Sequence, residues 1–135
     1  MRSVLVRVLP GACRCYAVRD FNSLEVWKKA HALALAVNTA CARLPRDRAA
    51  LRSQMRRSAE SIPTNIVEGC NRSSQKELAN FLQISIASSS ELEYQLRLTR
   101  DYGAMDQREW QRLTDQTIEV RKMLIGLIKK VRAER

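Results

Sequence analysis

Four stretches of this chain place their apolar residues three and four positions apart, and Pro45, Gly69 and Gly103 fall at the breaks between them. That spacing marks one face of an α-helix, whereas a half-buried strand would alternate every second residue. Four Gly and three Pro in 135 residues leave few turns, which excludes a sandwich or barrel of many short strands. With 45% hydrophobic residues the chain can build one core, and its length suits a single domain.

The first stretch covers residues 24–44 and is ended by Pro45; Trp27, Ala30, Ala34, Val37, Cys41 and Leu44 share a face. The second covers residues 47–69, with Asp47 expected as N-cap and Gly69 as C-cap. Its stripe is Leu51, Met55, Ser58, Ile62 and Ile66. The third opens on Ser74 with Glu77 three residues on, the spacing of a capping box, and stops at Gly103. Leu78, Leu82, Ser85, Ser89, Leu92, Leu96 and Thr99 form its stripe. The fourth opens on Asp106, again with an acid, Glu109, three residues on, and carries Trp110, Leu113, Thr117, Val120, Leu124, Leu127 and Val131. Strict three-four alternation is the period of helices that cross at about 20°. Short connections make sequential helices antiparallel neighbours. The prediction is an all-α domain over residues 21–135, an up-down-up-down antiparallel four-helix bundle.

Pro63 lies inside the second stretch. An interior proline costs about 3 kcal/mol and frees the carbonyl four residues earlier, here that of Ala59. Ser58, Ser61, Thr64 and Asn65 are close enough in sequence to serve loosened backbone groups. The spacing predicts a kinked but continuous helix; the alternative is a helix ending near Ser61 and a second short one.

Residues 1–20 read differently. Arg2, Arg7, Arg14 and Arg19 precede any acid and supply part of the net charge of +10. The apolar run at residues 4–9 is broken by Arg7 and is shorter than a secretory core, and Pro10 stands where a lipoprotein cleavage site before Cys13 wants an aliphatic residue. We expect a basic, poorly ordered extension. No window of about twenty residues is free of charge, so no membrane span is expected. Cys13 and Cys15 are too close for an ordinary staple, and Cys41 and Cys70 have no CxxC partner. With a single His and no CxxC pair, no zinc set is expected. Reduced thiols and a cytoplasmic location follow as expectations.

Chemistry-bearing motifs are few. His31 is mid-helix, and Glu91 and Glu93 diverge on their helix. Glu60 and Glu68 share a face two turns apart but lack the His partner of a di-iron bundle. There is no glycine-rich phosphate loop. No catalytic residue, cofactor or metal is expected.

Charge and surplus apolar surface are the more informative features. In the predicted topology, the connections between helices one and two and between three and four share an end. Ten arginines collect there, Arg43, Arg46, Arg48, Arg52, Arg56, Arg57, Arg97, Arg100, Arg108 and Arg112, and every Lys lies toward the other end. Arginine pairs phosphate bidentately and stacks on bases. Arg46, Arg48, Arg52, Arg56, Arg57, Arg97 and Arg100 are therefore the candidate nucleic-acid contacts; the plainer alternative is a solvated face with local ion pairs. Without a base-reading motif, such contacts would read backbone charge and shape. Lys129, Lys130 and Arg132 complement the dipole of the last helix. Ile84 and Ile86 point apart on one helix, and Ile118 and Ile125 form a second thin stripe on another. These four are the candidate oligomer interface; scattered exposed aliphatics are the alternative.

Three motifs occur in order: Arg57-Ser58-Ala59-Glu60-Ser61-Ile62-Pro63-Thr64-Asn65-Ile66-Val67-Glu68-Gly69, then Glu77-Leu78-Ala79-Asn80-Phe81-Leu82, then Ala87-Ser88-Ser89-Ser90-Glu91-Leu92-Glu93. With the opening Phe21, Leu24, Val26 and Trp27, they resemble the proteins encoded in intervening sequences of bacterial 23S rRNA genes, the S23 family, over roughly residues 21–130. The resemblance implies a four-helix bundle with a second helix continuous through Pro63. It also implies a homopentamer like the related accessory proteins of diversity-generating retroelements, which bind nucleic acid and a reverse transcriptase. Ser61, Asn65, Glu68, Gly69, Ser89 and Glu91 match the family motif. Their own chemistry suits polar satisfaction near the proline, capping and close packing; a shared polar site between helices two and three is the alternative. The expected function is that of a non-enzymatic oligomer binding RNA or structured DNA, with a protein-interaction scaffold as the competing reading.

Overall fold

The computed structural model describes residues 20–134; the expected extension at residues 1–19 lies outside them. Four helices account for most of this span: α1 (Glu25–Cys41), α2 (Ala49–Cys70), α3 (Gln75–Asp101) and α4 (Gln107–Ala133). Two single 3-10 turns, Phe21–Ser23 and Arg46–Arg48, precede α1 and α2. α2 packs on α3, α3 on α4, α1 on α2, and α1 closes the ring against α4.

The register shows the antiparallel order. Along the α2–α3 seam, Thr99 Oγ1 lies 3.3 Å from the Met55 sulfur, Ser61 and Ser88 share a hydroxyl pair, and Gly69 faces Leu78. Lys29 of α1 reaches Glu119 of α4, and Arg43, just past the end of α1, reaches Glu109 near the start of α4. The chain is the predicted up-down-up-down bundle.

The core follows the three-four stripes. Leu51, Met55, Ser58, Ile62 and Ile66 of α2 are buried, as is the whole expected stripe of α3. α1 is rotated slightly from expectation: Val26, Leu33 and Ala40 are buried, while Trp27 and Ala34 are half-buried beside them. In α4, Ile128 is buried where Leu127 was expected, and Leu127 and Trp110 lie half-buried at the core edge. Both shifts arise because a bundle helix meets two neighbours, so its buried face is wider than a single seam.

Side-chain caps open α3 and α4, while the ends of α2 depart from the sequence reading. Ser74 accepts the Glu77 amide at 3.1 Å, and Asp106 accepts the Glu109 amide at 2.8 Å, so both N-caps form as read. Gly103 takes φ 69°, the left-handed turn that stops α3. Asp47 is not the N-cap of α2. Pro45 starts a 3-10 turn whose Arg48 amide bonds the Pro45 carbonyl at 3.0 Å, which places Asp47 inside that turn. Gly69 is not a C-cap either. α2 runs one residue further, to Cys70, and the Asn71 side chain bonds the Val67 carbonyl at 3.0 Å. Gly69 is buried where α2 and α3 close on each other; a Cβ there would stand 2.9 Å from Leu78 Cδ1 and 3.0 Å from Phe81 Cβ.

α2 is continuous through Pro63. Side chains supplement the weakened backbone ladder nearby. Thr64 Oγ1 donates to the Glu60 carbonyl at 2.7 Å, Asn65 Nδ2 to the Ser61 carbonyl at 2.8 Å, and Ser85 Oγ of α3 to the Ile62 carbonyl at 3.0 Å. Such back-bonding lets a helix bend without breaking.

Because Gly69 sits at a backbone approach and not in a left-handed cap, bulk is what the position rejects. Gly69→Val is expected to lower the unfolding free energy by about 1–3 kcal/mol through overpacking, measured by urea denaturation followed by circular dichroism. An unchanged midpoint would contradict the close approach.

Candidate nucleic-acid interface

The antiparallel order gathers the expected arginines at one end of the bundle, around the 3-10 turn Arg46–Arg48, the start of α2, the end of α3 and the start of α4. They are not equivalent once side chains are placed.

Arg52 faces inward. Its Nε donates to the Cys41 carbonyl at 3.0 Å, and its Nη2 donates to the carbonyls of Leu44 at 2.9 Å and Pro45 at 3.2 Å. The last turn of a helix leaves carbonyls without partners and carries partial negative charge. The planar guanidinium satisfies both conditions for α1. Cys41 lies buried beneath it; desolvation pushes its thiol pKa up, and the charges of Arg56 and Arg52 pull it back in part.

Three other arginines at this end are tied by charge. Arg43 pairs with Glu109 at 3.1 Å, Arg112 approaches the same carboxylate at 3.8 Å, and Arg100 pairs with Asp101 at 3.0 Å. Arg100 also lies over the Trp110 ring, 4.4 Å from its centroid, and Arg48 lies over the Tyr102 ring at 4.1 Å. Arg56 is half-buried, with its Nε enclosed and unbonded. With Arg52, Arg57 and Glu60 it lines a shallow depression on α2. Arg46, Arg57, Arg97 and Arg108 are exposed. Among the described residues none of these four forms an ion pair.

The family-motif residues divide in the same way. Ser61 pairs its hydroxyl with Ser88 at 2.7 Å, and Asn65 Nδ2 lies 3.0 Å from Ser61 Oγ. This small polar cluster joins α2 to α3. Ser89 is buried but donates to the Ile86 carbonyl of its own helix at 2.6 Å. Glu68 is exposed and pairs with Arg72 at 3.2 Å, while Glu91 is exposed and accepts from Gln95. Glu91 therefore bonds within α3 and Glu68 to the connection that follows α2, both outside that cluster. Among the described residues no group of three or more His, Cys, Asp or Glu is arranged to hold a metal.

Of the candidate interface residues, Ile84 and Ile125 are 47% and 40% exposed. Ile86 packs against the chain's own core, and Ile118 is half-buried. Leu35 and Tyr94 are further exposed apolar side chains outside the expected stripes. Leu35 borders a groove of about 460 Å³ between α1 and α2, where Trp27 stacks on His31. Among the described residues no helix is long and apolar enough to cross a membrane.

Comparison with known proteins fits this architecture. The profile of one family, the 23S rRNA-intervening sequence protein, matches residues 22–126. The chain belongs to this family. A crystal structure of a protein of unknown function, from the S23 ribosomal protein family of Bacteroides thetaiotaomicron VPI-5482, is similar with a TM-score of 0.73. The two are 25% identical, over 77% of this chain and 95% of that one. No curated protein matches the chain.

The matched span includes every helix-to-helix contact described above except those made by the end of α4. Sequence reasoning named Arg48 and Arg100 but not their ring partners. Tyr102 is far from Arg48 in sequence, and Trp110 belongs to a different helix from Arg100, so only the shared end of the bundle brings each pair together.

Arg52 and Arg57 are both arginines of α2, yet only the first needs its fork. Arg52→Lys is expected to cost about 1–3 kcal/mol, since a charged donor to several carbonyls is lost, while Arg57→Lys stays within about 0.5 kcal/mol as a surface change. Urea melts of the two variants check the difference; equal costs would remove the capping role.

Proposed function

We propose that this protein is a non-enzymatic, self-associating helical bundle that binds nucleic acid, RNA or structured DNA, through the arginine end. The observation that carries the reading is the set of Arg46, Arg57, Arg97 and Arg108, exposed and without ion pairs among the described residues. Lys76, Lys122, Lys129, Lys130 and Arg132 toward the other end are likewise exposed and without ion pairs among the described residues, so what sets the arginine end apart is residue type, four planar guanidinium forks and no lysine. Phosphate oxygens are bidentate partners for such side chains, and a polyanion engages several at once. Arg52 is set aside as a contact, because its donors already serve α1.

Fluorescence anisotropy with labelled RNA and duplex DNA, titrated with salt, tests this. The expected result is binding at low salt that weakens steeply, with a log–log slope of about −0.9 per phosphate neutralised on duplex and about −0.7 on single strands. Combining Arg46→Glu, Arg57→Glu and Arg97→Glu should abolish it while leaving the helical melt intact. Absence of binding at low salt, or binding indifferent to the triple change, overturns the proposal.

Self-association rests on a different observation. Ile84 on α3 and Ile125 on α4 expose large aliphatic side chains on two helices, and a second copy would cover them. Light scattering after size exclusion should give a mass several times the 15.5 kDa chain, falling toward that value in Ile84→Glu with Ile125→Glu. A wild-type monomer contradicts this part of the proposal.

A further inference from the structure

Two arginine–aromatic stacks stand at the arginine end, and they differ in what they leave open. Arg100 over Trp110 is closed: Arg100 is tied to Asp101, Trp110 is half-buried against the core, and its indole nitrogen is enclosed. Arg48 over Tyr102 is open. The guanidinium covers one side of the ring at 4.1 Å, yet Tyr102 remains 51% exposed. Arg48 has no ion pair among the described residues. Tyr102 caps the C-terminus of α3, and Gly103 at φ 69° turns the chain toward α4 directly after it. The ring therefore stands at the tip of the bundle, on the same end as Arg46 and Arg108.

We propose that Tyr102, backed by Arg48, is a base-stacking platform that makes the arginine end favour single-stranded nucleic acid over duplex. This rests on the reading that the arginine end binds nucleic acid, and it adds the class of strand. A duplex hides its base faces inside the helix and offers this end only phosphates. A single strand offers phosphates together with open base faces. An aromatic ring accepts such a face whatever the base, and a guanidinium on its far side holds the ring in place and extends the stack. Arg46 and Arg108 supply charge for the backbone running past the platform. Nothing in this arrangement reads base edges, so the preference is for strand type and not for sequence.

The test compares a labelled single-stranded oligouridylate with a labelled duplex of equal length, by anisotropy at one fixed salt concentration, with the full chain. Wild type is expected to favour the single strand. Tyr102→Leu should weaken single-strand binding by about tenfold, the size of one lost stack. Its duplex affinity should stay at the wild-type value, and Tyr102→Trp should restore the preference. Thermal melts of both variants should match wild type, since the ring is exposed. An unchanged single-strand affinity in Tyr102→Leu, or an equal loss on both strands, overturns the platform. If binding persists in that case and is lost in Arg46→Glu with Arg57→Glu, only the platform fails. If the wild type binds neither strand, the nucleic-acid reading fails and the platform with it.

Discussion

The close approach of α2 and α3 is the constraint on which the remaining structure depends. Gly69 admits Leu78 and Phe81 to within a methyl group of its backbone, and Ser61, Ser85 and Ser88 keep the middle of the seam narrow. Burying hydroxyls costs free energy unless they are bonded. Here each finds a partner on the facing helix, Ser61 and Ser88 in each other and Ser85 in the Ile62 carbonyl. The seam thus gains both proximity and direction, since the pairs form only in one register. It also braces α2 around Pro63, where the backbone ladder is weakest.

With that pair fixed, α1 and α4 complete the ring, and the two exposed ends acquire distinct chemistry. At one end Arg52 binds the last carbonyls of α1 while its neighbours Arg46 and Arg57 face solvent. The contrast separates arginines by role, although the sequence offers them as a single run. Surface ion pairs such as Arg43–Glu109 contribute little in solvent. The unmatched cations are better understood through what they could attract than through what they stabilise.

Much of the fold was legible in the residues. Ser74 with Glu77 and Asp106 with Glu109 marked two helix starts because capping is a local interaction. The α2 and α3 stripes were read without error because each repeats over many turns. Gly69 and Asp47 were misread for the same reason that the caps were read well: both have the composition of a helix end. Only the facing helix shows that Gly69 is a contact surface, and only the turn started by Pro45 carries Asp47 past the cap position. The arginine end was visible as a concentration of one residue type. Its division into capping, paired, stacked and free members was not, because the partners come from other helices.

The sequence by itself determined four helices, their order and the sign of the charge, since period, punctuation and composition act within a few residues. Tertiary structure alone decided which arginines are spent on carbonyls, rings and acids and which are left over. It also decided that Tyr102, at the end of a long apolar stripe, stands open to solvent with Arg48 behind it. Those outcomes depend on distances between segments far apart in the chain, and such distances exist only after the helices have packed.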